Sequence, residues 1–339
     1  MELPLFNPVE FEKLYNCTLY DEGYFDEARK PNTFVGFIYM STGMIYELLY
    51  IPCLITMTKP KFFKTSCYKL MFFIGLIDIL TIPFNATLYG YFAWNGYVYC
   101  DSPKLMYFSG AFTTALWCAA SMTCVLLALN RLCDMMNRDL MELLFADKRT
   151  FVWFIFPCLY FCYFFLFTKP FMFTSAFHAG FSNPYVGTKF HAQTENTYMN
   201  FSLIVHNICI PILMVLIYTI ICIFLLYKTM RHREGERGLS KYQKSAVTQS
   251  SMLCSVFVMA PMIYDYMNYF GAPPFMVVIG QICWQGCHGS AVIIYLVFNK
   301  TLRDEMFKLF LGGKLKISMS ISNGQTNTRT ASMVPQSEI

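Results

Sequence analysis

Long apolar stretches recur along the chain and are separated by short polar segments. A helix that crosses a bilayer needs about 20 mostly apolar residues, because its backbone must satisfy its own hydrogen bonds once water is absent. Seven stretches meet that requirement: Thr33–Met57, Tyr68–Trp94, Leu105–Leu129, Thr150–Phe173, Met199–Tyr227, Ala246–Phe270 and Phe275–Phe298. The pattern predicts an all-α membrane protein, a bundle of seven transmembrane helices over residues 33–299.

Composition and the flanking segments complete this outline. The 339 residues are 56% hydrophobic and only 14% charged, whereas soluble domains carry about 25% charged residues. Residues 1–32 are predicted to form an acidic amino-terminal segment on the outer side. Residues 300–311 carry an apolar stripe at helical spacing, which predicts a short amphipathic helix along the membrane interface. Residues 312–339 are rich in Ser, Thr, Asn and Gly, which predicts a disordered tail.

The distribution of Lys and Arg gives the orientation. Of the 26 such residues, 20 lie in segments 58–69, 130–149, 228–245 and 300–339, which alternate with the segments that hold the other six. Positively charged flanks stay in the cytoplasm. We therefore expect a multi-pass plasma-membrane protein with an extracellular amino terminus. The net charge of +5 reflects this topology, so no nucleic-acid partner is expected.

Three polar residues fall inside the predicted spans: Glu47, Asp78 and Asn85. An intramembrane charge is costly and usually faces the bundle interior. At 1.5 Å per residue, Glu47 and Asp78 lie at similar depths, and Asn85 follows Asp78 two turns outward on the same helical face. We predict an intramembrane polar cluster, bridged by water or holding an ion.

The outer halves of the spans combine aromatic and polar side chains, as small-molecule pockets do. Asp265 lies about one turn from the predicted membrane surface, where it would pair with a cationic ligand or stay solvated at the rim. The candidate pocket residues are Tyr107, Phe112, His206, Asp265, Gln281 and Trp284.

Arg131 follows Asn130 at the inner end of the third predicted span. An arginine there can extend its guanidinium to water and serve only as an interface anchor. The pair also resembles the acid-Arg-aromatic triplet of rhodopsin-type G-protein-coupled receptors, in which the arginine meets the G protein. Asn130 replaces the acid, so any restraint on Arg131 must come from elsewhere.

Three further motifs carry a more specific resemblance. ELLYIPCLITM in the first span, SCYKLMFFIGLIDIL in the second and ALNRLCDMM in the third are similar to the helix ends of nematode serpentine chemoreceptors of class T. The similarity runs from about residue 32 to residue 310. It implies a rhodopsin-like bundle that binds a small molecule in its outer half and signals to a heterotrimeric G protein. It also implies a neuronal or ciliary membrane.

Other receptor features are matched only in part. Pro261 corresponds to the proline that kinks the sixth helix of rhodopsin-type receptors, and Pro211 lies in the fifth span. Each is a hinge or a static kink. Asp78 matches the aspartate that binds sodium in many of those receptors, although its asparagine partners are not evident. A water-bridged pair without an ion is the alternative.

Most of the 14 cysteines lie inside predicted spans, and only Cys17 and Cys100 fall on the outer aqueous side. We predict a disulfide between these two, which would tie the amino-terminal segment over the bundle. Asn16 heads the glycosylation sequon Asn16-Cys17-Thr18, although a bridged cysteine at its centre would hinder glycosylation.

Rival classes fit less well. A seven-helix hydrolase needs a zinc-binding cluster of histidines, and the intramembrane candidates are limited to His206 and His288, so neither an enzyme nor a metal or cofactor is expected. The halves show no internal repeat of the kind common in transporters. Seven-helix odorant-gated channels have the opposite orientation. A ligand-gated channel and a seven-helix transporter nevertheless remain the alternatives to a receptor.

Overall fold

The computed structural model describes residues 7–18, 22–188, 197–233, 241–270 and 272–310. Within these residues, seven helices are long and apolar enough to cross a membrane, which confirms the predicted bundle. They are called the first to seventh spans below: Thr33–Met57, Ser66–Asn95, Pro103–Met136, Arg149–Phe167, Phe201–Arg233, Lys241–Phe270 and Pro274–Phe298. The predicted disordered tail, 312–339, lies outside the described residues.

The third span runs through the centre of the bundle and contacts the second, fourth, fifth and sixth spans. Within its most apolar window 83% of the residues are buried, against 17% for the fourth span and 28% each for the first and fifth. The three peripheral spans therefore present most of their apolar side chains outward, as helices that face lipid do.

The fourth span ends earlier than its apolar pattern predicts. We expected helix as far as Phe173, but the helix ends at Phe167 and Thr168 is extended. Pro170 explains the difference, because proline has no N–H to donate and disfavours helical geometry in the residue before it. The apolar residues that follow are buried in strand β1, Met172–Thr174, and do not extend the span.

The second span changes its winding at a proline. Ser66–Ile82 is α-helical, Pro83–Leu88 is π-helical and Tyr89–Asn95 is α-helical again. Because Pro83 has no N–H, the α-helical hydrogen bond is lost at this point, and a wider turn takes its place. The span ends before Gly96, whose φ of 72° is a left-handed conformation that glycine adopts without steric cost.

A lid covers one end of the bundle, and it consists of the described residues of segments 7–32 and 168–188. Strand β1 pairs antiparallel with β2, Ala179–Phe181. The amino-terminal helix Pro8–Tyr15 packs through Tyr15, whose ring contacts Tyr107. Short 3-10 helices, Glu22–Phe25 and Tyr99–Asp101, complete this end.

The opposite end, called the basic end below, carries the short helices Pro60–Phe63 and Arg138–Phe145. A further helix, Lys300–Phe310, packs on the first span with Leu302 and Met306 buried. Its position and amphipathic pattern match the predicted eighth helix.

Candidate functional site

A cavity lies in the half of the bundle next to the lid. Its volume is about 30 Å³, well below the roughly 300–1,000 Å³ of small-molecule sites, so a ligand larger than a few atoms requires the walls to move apart. Its walls come from the third, fifth, sixth and seventh spans and from the loop that follows the fourth. The lining residues are Thr114, Trp117, Phe171, Leu203, Asn207, Ala260, Pro261, Tyr264 and Trp284.

The cavity is aromatic and uncharged at the side chains that the structure describes. Its polar groups are Thr114, Asn207 and Tyr264. The Tyr264 hydroxyl donates to Oε1 of Gln281 at 3.0 Å, and Asn207 Oδ1 lies 3.4 Å from the indole nitrogen of Trp117. Thr114 differs, because its buried hydroxyl has no hydrogen-bond partner among the described residues. Such an unpaired group is costly, and a movement of the wall that exposes it would let a molecule in the cavity bind to it.

The predicted pocket residues divide into three groups. Trp284 lines the cavity, and Gln281 stands behind Tyr264. His206 also lies behind the wall, where its ring meets Trp117 and its Nδ1 lies 3.0 Å from the Tyr160 hydroxyl. Of Trp284, Gln281 and His206, only Trp284 lines the cavity, and the other two contact the lining residues Tyr264 and Trp117 from behind.

Two other pocket candidates lie elsewhere, and one cannot be placed. Tyr107 packs against the ring of Tyr15 in the lid, and Phe112 packs among Phe84 and other aromatic rings away from the cavity. Counting depth along a helix does not give the direction in which a side chain points, and the structure places neither residue on the wall of this cavity. Asp265 belongs to the sixth span, but its side chain lies outside those described.

Both candidate hinge prolines lie within one turn of the cavity. Pro261 lines the cavity, and Pro211 is buried one turn after Asn207. A helix proline leaves the carbonyl four residues earlier without its usual donor. The affected residues are Phe257 and Asn207. The ring of Phe257 stacks on Trp117, a lining residue, with 5.4 Å between the ring centres. The helix hydrogen bonding of the sixth span is therefore interrupted at the lower end of the cavity, called the cavity floor below.

A buried polar cluster lies below that floor. Oδ1 of Asp78 is 2.7 Å from Nδ1 of His288, and Oδ2 accepts a hydrogen bond from Tyr50 at 2.6 Å. All three side chains have zero exposure. The ring of His288 also meets Trp117 at 5.9 Å, which connects the cluster to the cavity.

The structure shows no direct contacts that join all three members of the predicted cluster, Glu47, Asp78 and Asn85, and its water-bridged or ion-holding form stays a prediction. No described contact joins Glu47 to Asp78, and the Asn85 amide has no hydrogen-bond partner among the described residues. The π-helical turn begins between Asp78 and Asn85 and rotates Asn85 out of the predicted face. The Asn85 carbonyl instead accepts from Gln281 and Gln285.

His288 and Tyr50 are the members that sequence reasoning missed. His288 lies in the seventh span, 11 residues before Asn299, the residue that follows the end of that span. Counting from the carboxyl end of the span would have placed it near the depth of Asp78.

Arg131 is buried at the basic end, with 4% of its surface exposed. Its guanidinium contacts the sulfur of Cys67, and Nη1 lies 3.7 Å from Oδ2 of Asp134. Asn130 donates to the Ser66 hydroxyl at 2.9 Å. The restraint expected from elsewhere is thus supplied by Asp134, three residues along the same helix, a spacing that the sequence already contained.

The lid brings Cys17 and Cys100 together in a disulfide with their Cα atoms 5.6 Å apart. Oδ1 of Asn16, the sequon residue beside it, accepts from the Thr18 hydroxyl at 2.8 Å. Ser175 fastens the loop to the amino-terminal segment, because its hydroxyl donates to the Ala28 carbonyl at 3.1 Å. The disulfide therefore ties the lid covalently to the segment between the second and third spans, and Ser175 holds the two parts of the lid together.

Comparison with known proteins assigns this architecture to a family. The family model described as "Serpentine type 7TM GPCR chemoreceptor Srt" matches residues 2–319. The chain belongs to the Srt family. The Srt match extends over the lid, all seven spans and the helix Lys300–Phe310. The class T resemblance in the three motifs is confirmed.

A relative from Caenorhabditis elegans, "Serpentine receptor class T-55", is 28% identical over 298 residues. The aligned region covers 87% of this chain and 80% of that relative. The chain is thus a seven-helix membrane receptor of chemoreceptor type, and Srt is a receptor family, not an enzyme family.

Proposed function

We propose that this Srt chain is a chemosensory receptor that binds a small uncharged molecule in the cavity and signals to a heterotrimeric G protein. The observation that carries the proposal is the Thr114 hydroxyl, buried in the cavity wall without a described partner. A ligand with one hydrogen-bonding group and a small aromatic or aliphatic body would move the walls at Trp117 and Trp284 apart and hydrogen-bond to Thr114.

The absence of charge at the described lining side chains favours a neutral ligand. An ion in an apolar cavity is costly unless an opposite charge pairs with it. A cationic ligand would need Asp265, whose neighbour Tyr264 does line the cavity. Amines therefore belong in the first screen as a second ligand class, with Asp265→Asn as the variant that separates the two.

The signal would pass from the cavity to the basic end through the sixth span. A ligand that presses on Trp117 moves the stacked ring of Phe257, and Pro261 lets the sixth span bend there. The bend would separate the inner parts of the third and sixth spans, which contact each other along the bundle. Arg131 would then leave Asp134 and meet the G protein.

The orientation completes the proposal. The lid with its disulfide would face the oxidising exterior, and the basic end would face the cytoplasm. In this orientation the receptor occupies the plasma membrane, and the sensory role of the family fits the ciliary membrane of a neuron. No catalytic step, cofactor or metal takes part.

The test is ligand-dependent nucleotide exchange by a panel of G-protein α subunits, with the receptor in nanodiscs and pools of neutral odorants and amines. Thr114→Val removes the hydroxyl and keeps the shape, and we expect it to raise the half-maximal ligand concentration about 10-fold. Thr113→Val is the matched control, because Thr113 donates to the Ser109 carbonyl of its own helix.

Arg131→Ala should abolish exchange without changing ligand affinity. Equal effects of Thr114→Val and Thr113→Val would contradict the ligand site. Exchange that is unaffected by Arg131→Ala would leave that residue as an interface anchor. An ion current or net transport without exchange would favour the channel or the transporter.

A further inference from the structure

A second cavity opens at the basic end, between the start of the second span and the start of the fourth. It is larger and more open than the first, with a volume of about 740 Å³. Its walls include four cations and one acid. The lining residues are Phe63, Lys64, Lys69, Ala146, Asp147, Lys148, Arg149 and Phe151.

The four cations have no carboxylate partner within the described residues. Lys64 and Lys148 are exposed, and their ammonium groups make no described hydrogen bond. Lys69 is buried, and its ammonium contacts the Asp147 carbonyl and lies 5.2 Å from the Phe151 ring centre. Arg149 donates to two backbone carbonyls of the helix before it.

Neighbouring lysines outside the cavity, in contrast, have a carboxylate partner. Lys59 and Lys61 each lie 3.5 Å from the Glu305 carboxylate of the helix Lys300–Phe310. The Asp147 side chain opposes only part of the charge, so the cavity keeps three uncompensated positive charges. Such a concentration of cations in a concave site attracts a multiply charged anion.

The cavity continues into a surface suited to acyl chains. Phe63 and Phe151 lie 6.3 Å apart at its edge. Beyond them the fourth span presents Phe151, Val152 and Ile155, which are 43%, 59% and 54% exposed. On a transmembrane helix these outward apolar side chains face lipid tails.

We infer that this cavity binds an anionic phospholipid whose headgroup carries phosphate monoesters. The phosphates lie among Lys64, Lys148 and Arg149, and the acyl chains run along the outward face of the fourth span. Membrane embedding alone places such a lipid beside the cavity, so the inference does not depend on the ligand or on G-protein coupling.

The experiment is native mass spectrometry of the purified full-length receptor titrated with phosphatidylinositol 4,5-bisphosphate. Lys64→Gln combined with Lys148→Gln removes two exposed cations from the cavity. Each lysine near an anionic lipid contributes about fivefold in affinity, so the pair should weaken binding about 30-fold. Lys64→Arg with Lys148→Arg should retain binding.

The matched control is Arg138→Gln combined with Lys300→Gln, which removes two exposed cations from the same end but outside the cavity. It should leave affinity within about twofold of the wild type. Because all four residues are exposed, melting temperatures should stay unchanged, and they are measured to show that the variants fold.

Two further arms distinguish the source of the phosphate. Soluble inositol 1,4,5-trisphosphate should compete at least 10-fold less well than the lipid, since it lacks acyl chains, and phosphatidylserine should bind more weakly because it has no phosphate monoester. The inference is overturned if the cavity variant binds like the wild type or if the control loses as much. Equal competition by the soluble headgroup would overturn the assignment to a lipid.

Discussion

The carbonyl of Phe171 leaves no room for a side chain at Gly110 in the third span. A Cβ built there would lie 1.8 Å from the carbonyl oxygen and 2.8 Å from its carbon. Ordinary Cβ contacts begin at 3.4 Å, so Gly110→Ala must move this backbone by about 1.6 Å. Overpacking of this kind costs about 1–3 kcal/mol.

Gly286 in the seventh span provides the control, because a Cβ there would meet nothing within 4 Å. Both substitutions replace glycine by alanine inside a helix, so the gain in helix propensity of about 1 kcal/mol is common to them. The difference between Gly110→Ala and Gly286→Ala therefore isolates the contact with the lid loop.

The assay is thermal unfolding followed by a thiol-reactive dye. Cys118, Cys124 and Cys287 have zero exposure and become reactive when the bundle opens. We expect Gly110→Ala to melt roughly 2–6 °C below Gly286→Ala. Ligand affinity should fall as well, because Phe171 lines the cavity. Equal melting temperatures would refute the reasoning, because the Phe171 backbone would then move aside without any loss of stability.

Three further outcomes are expected. Asp134→Asn removes the carboxylate beside Arg131, and it should raise ligand-independent nucleotide exchange about twofold, the value of one helical ion pair. Burial lowers the pKa of His178, so the imidazole is neutral in the folded lid, and lid stability should fall as the pH drops below about 6.5. Hydrogen exchange of strands β1 and β2 measures this, and His178→Gln should remove the pH dependence. Replacing Cys17 and Cys100 by serine should speed hydrogen exchange in the helix Pro8–Tyr15 and leave the spans protected.

Each of these has a clear contrary result. Unchanged basal exchange in Asp134→Asn would mean that other contacts, among them the one with Cys67, hold Arg131 without Asp134. Equal protection of the lid at pH 7.5 and pH 5.5 would mean that protonation of His178 does not destabilise the lid. Slow exchange in the serine variant would mean that the contacts of Tyr15 hold the amino-terminal helix without the disulfide.

The seven spans were predictable because lipid imposes a strong rule on composition and length, and the first span matches its predicted bounds at both ends. The end of the fourth span was missed because burial under a lid and burial in lipid select the same apolar residues. Apolar residues alone do not distinguish these two environments. Pro170 was the one signal in the sequence that the helix ends early, and the prediction, based on apolar residues, did not use it.

The candidate site was predictable only in part, since its chemistry depends on the rotation of each helix. The structure places Trp284 on the cavity wall, and its role as a ligand contact stays a prediction. Thr114 was missed because threonines in helices usually bond to their own backbone, as Thr113 does. Only the structure identifies the hydroxyl that has no described partner.

The π-helical turn at Pro83–Leu88 has a consequence for engineering and for comparing sequences. It accommodates one residue more than an α-helix of the same length, so positions after it are rotated by about 100° from a regular helical wheel. Deleting one residue within the turn would restore regular winding and turn Tyr89 away from its contact with Trp284. The inner part of the second span would keep its register. A single insertion or deletion at this turn can thus alter the cavity wall and leave the basic end unchanged.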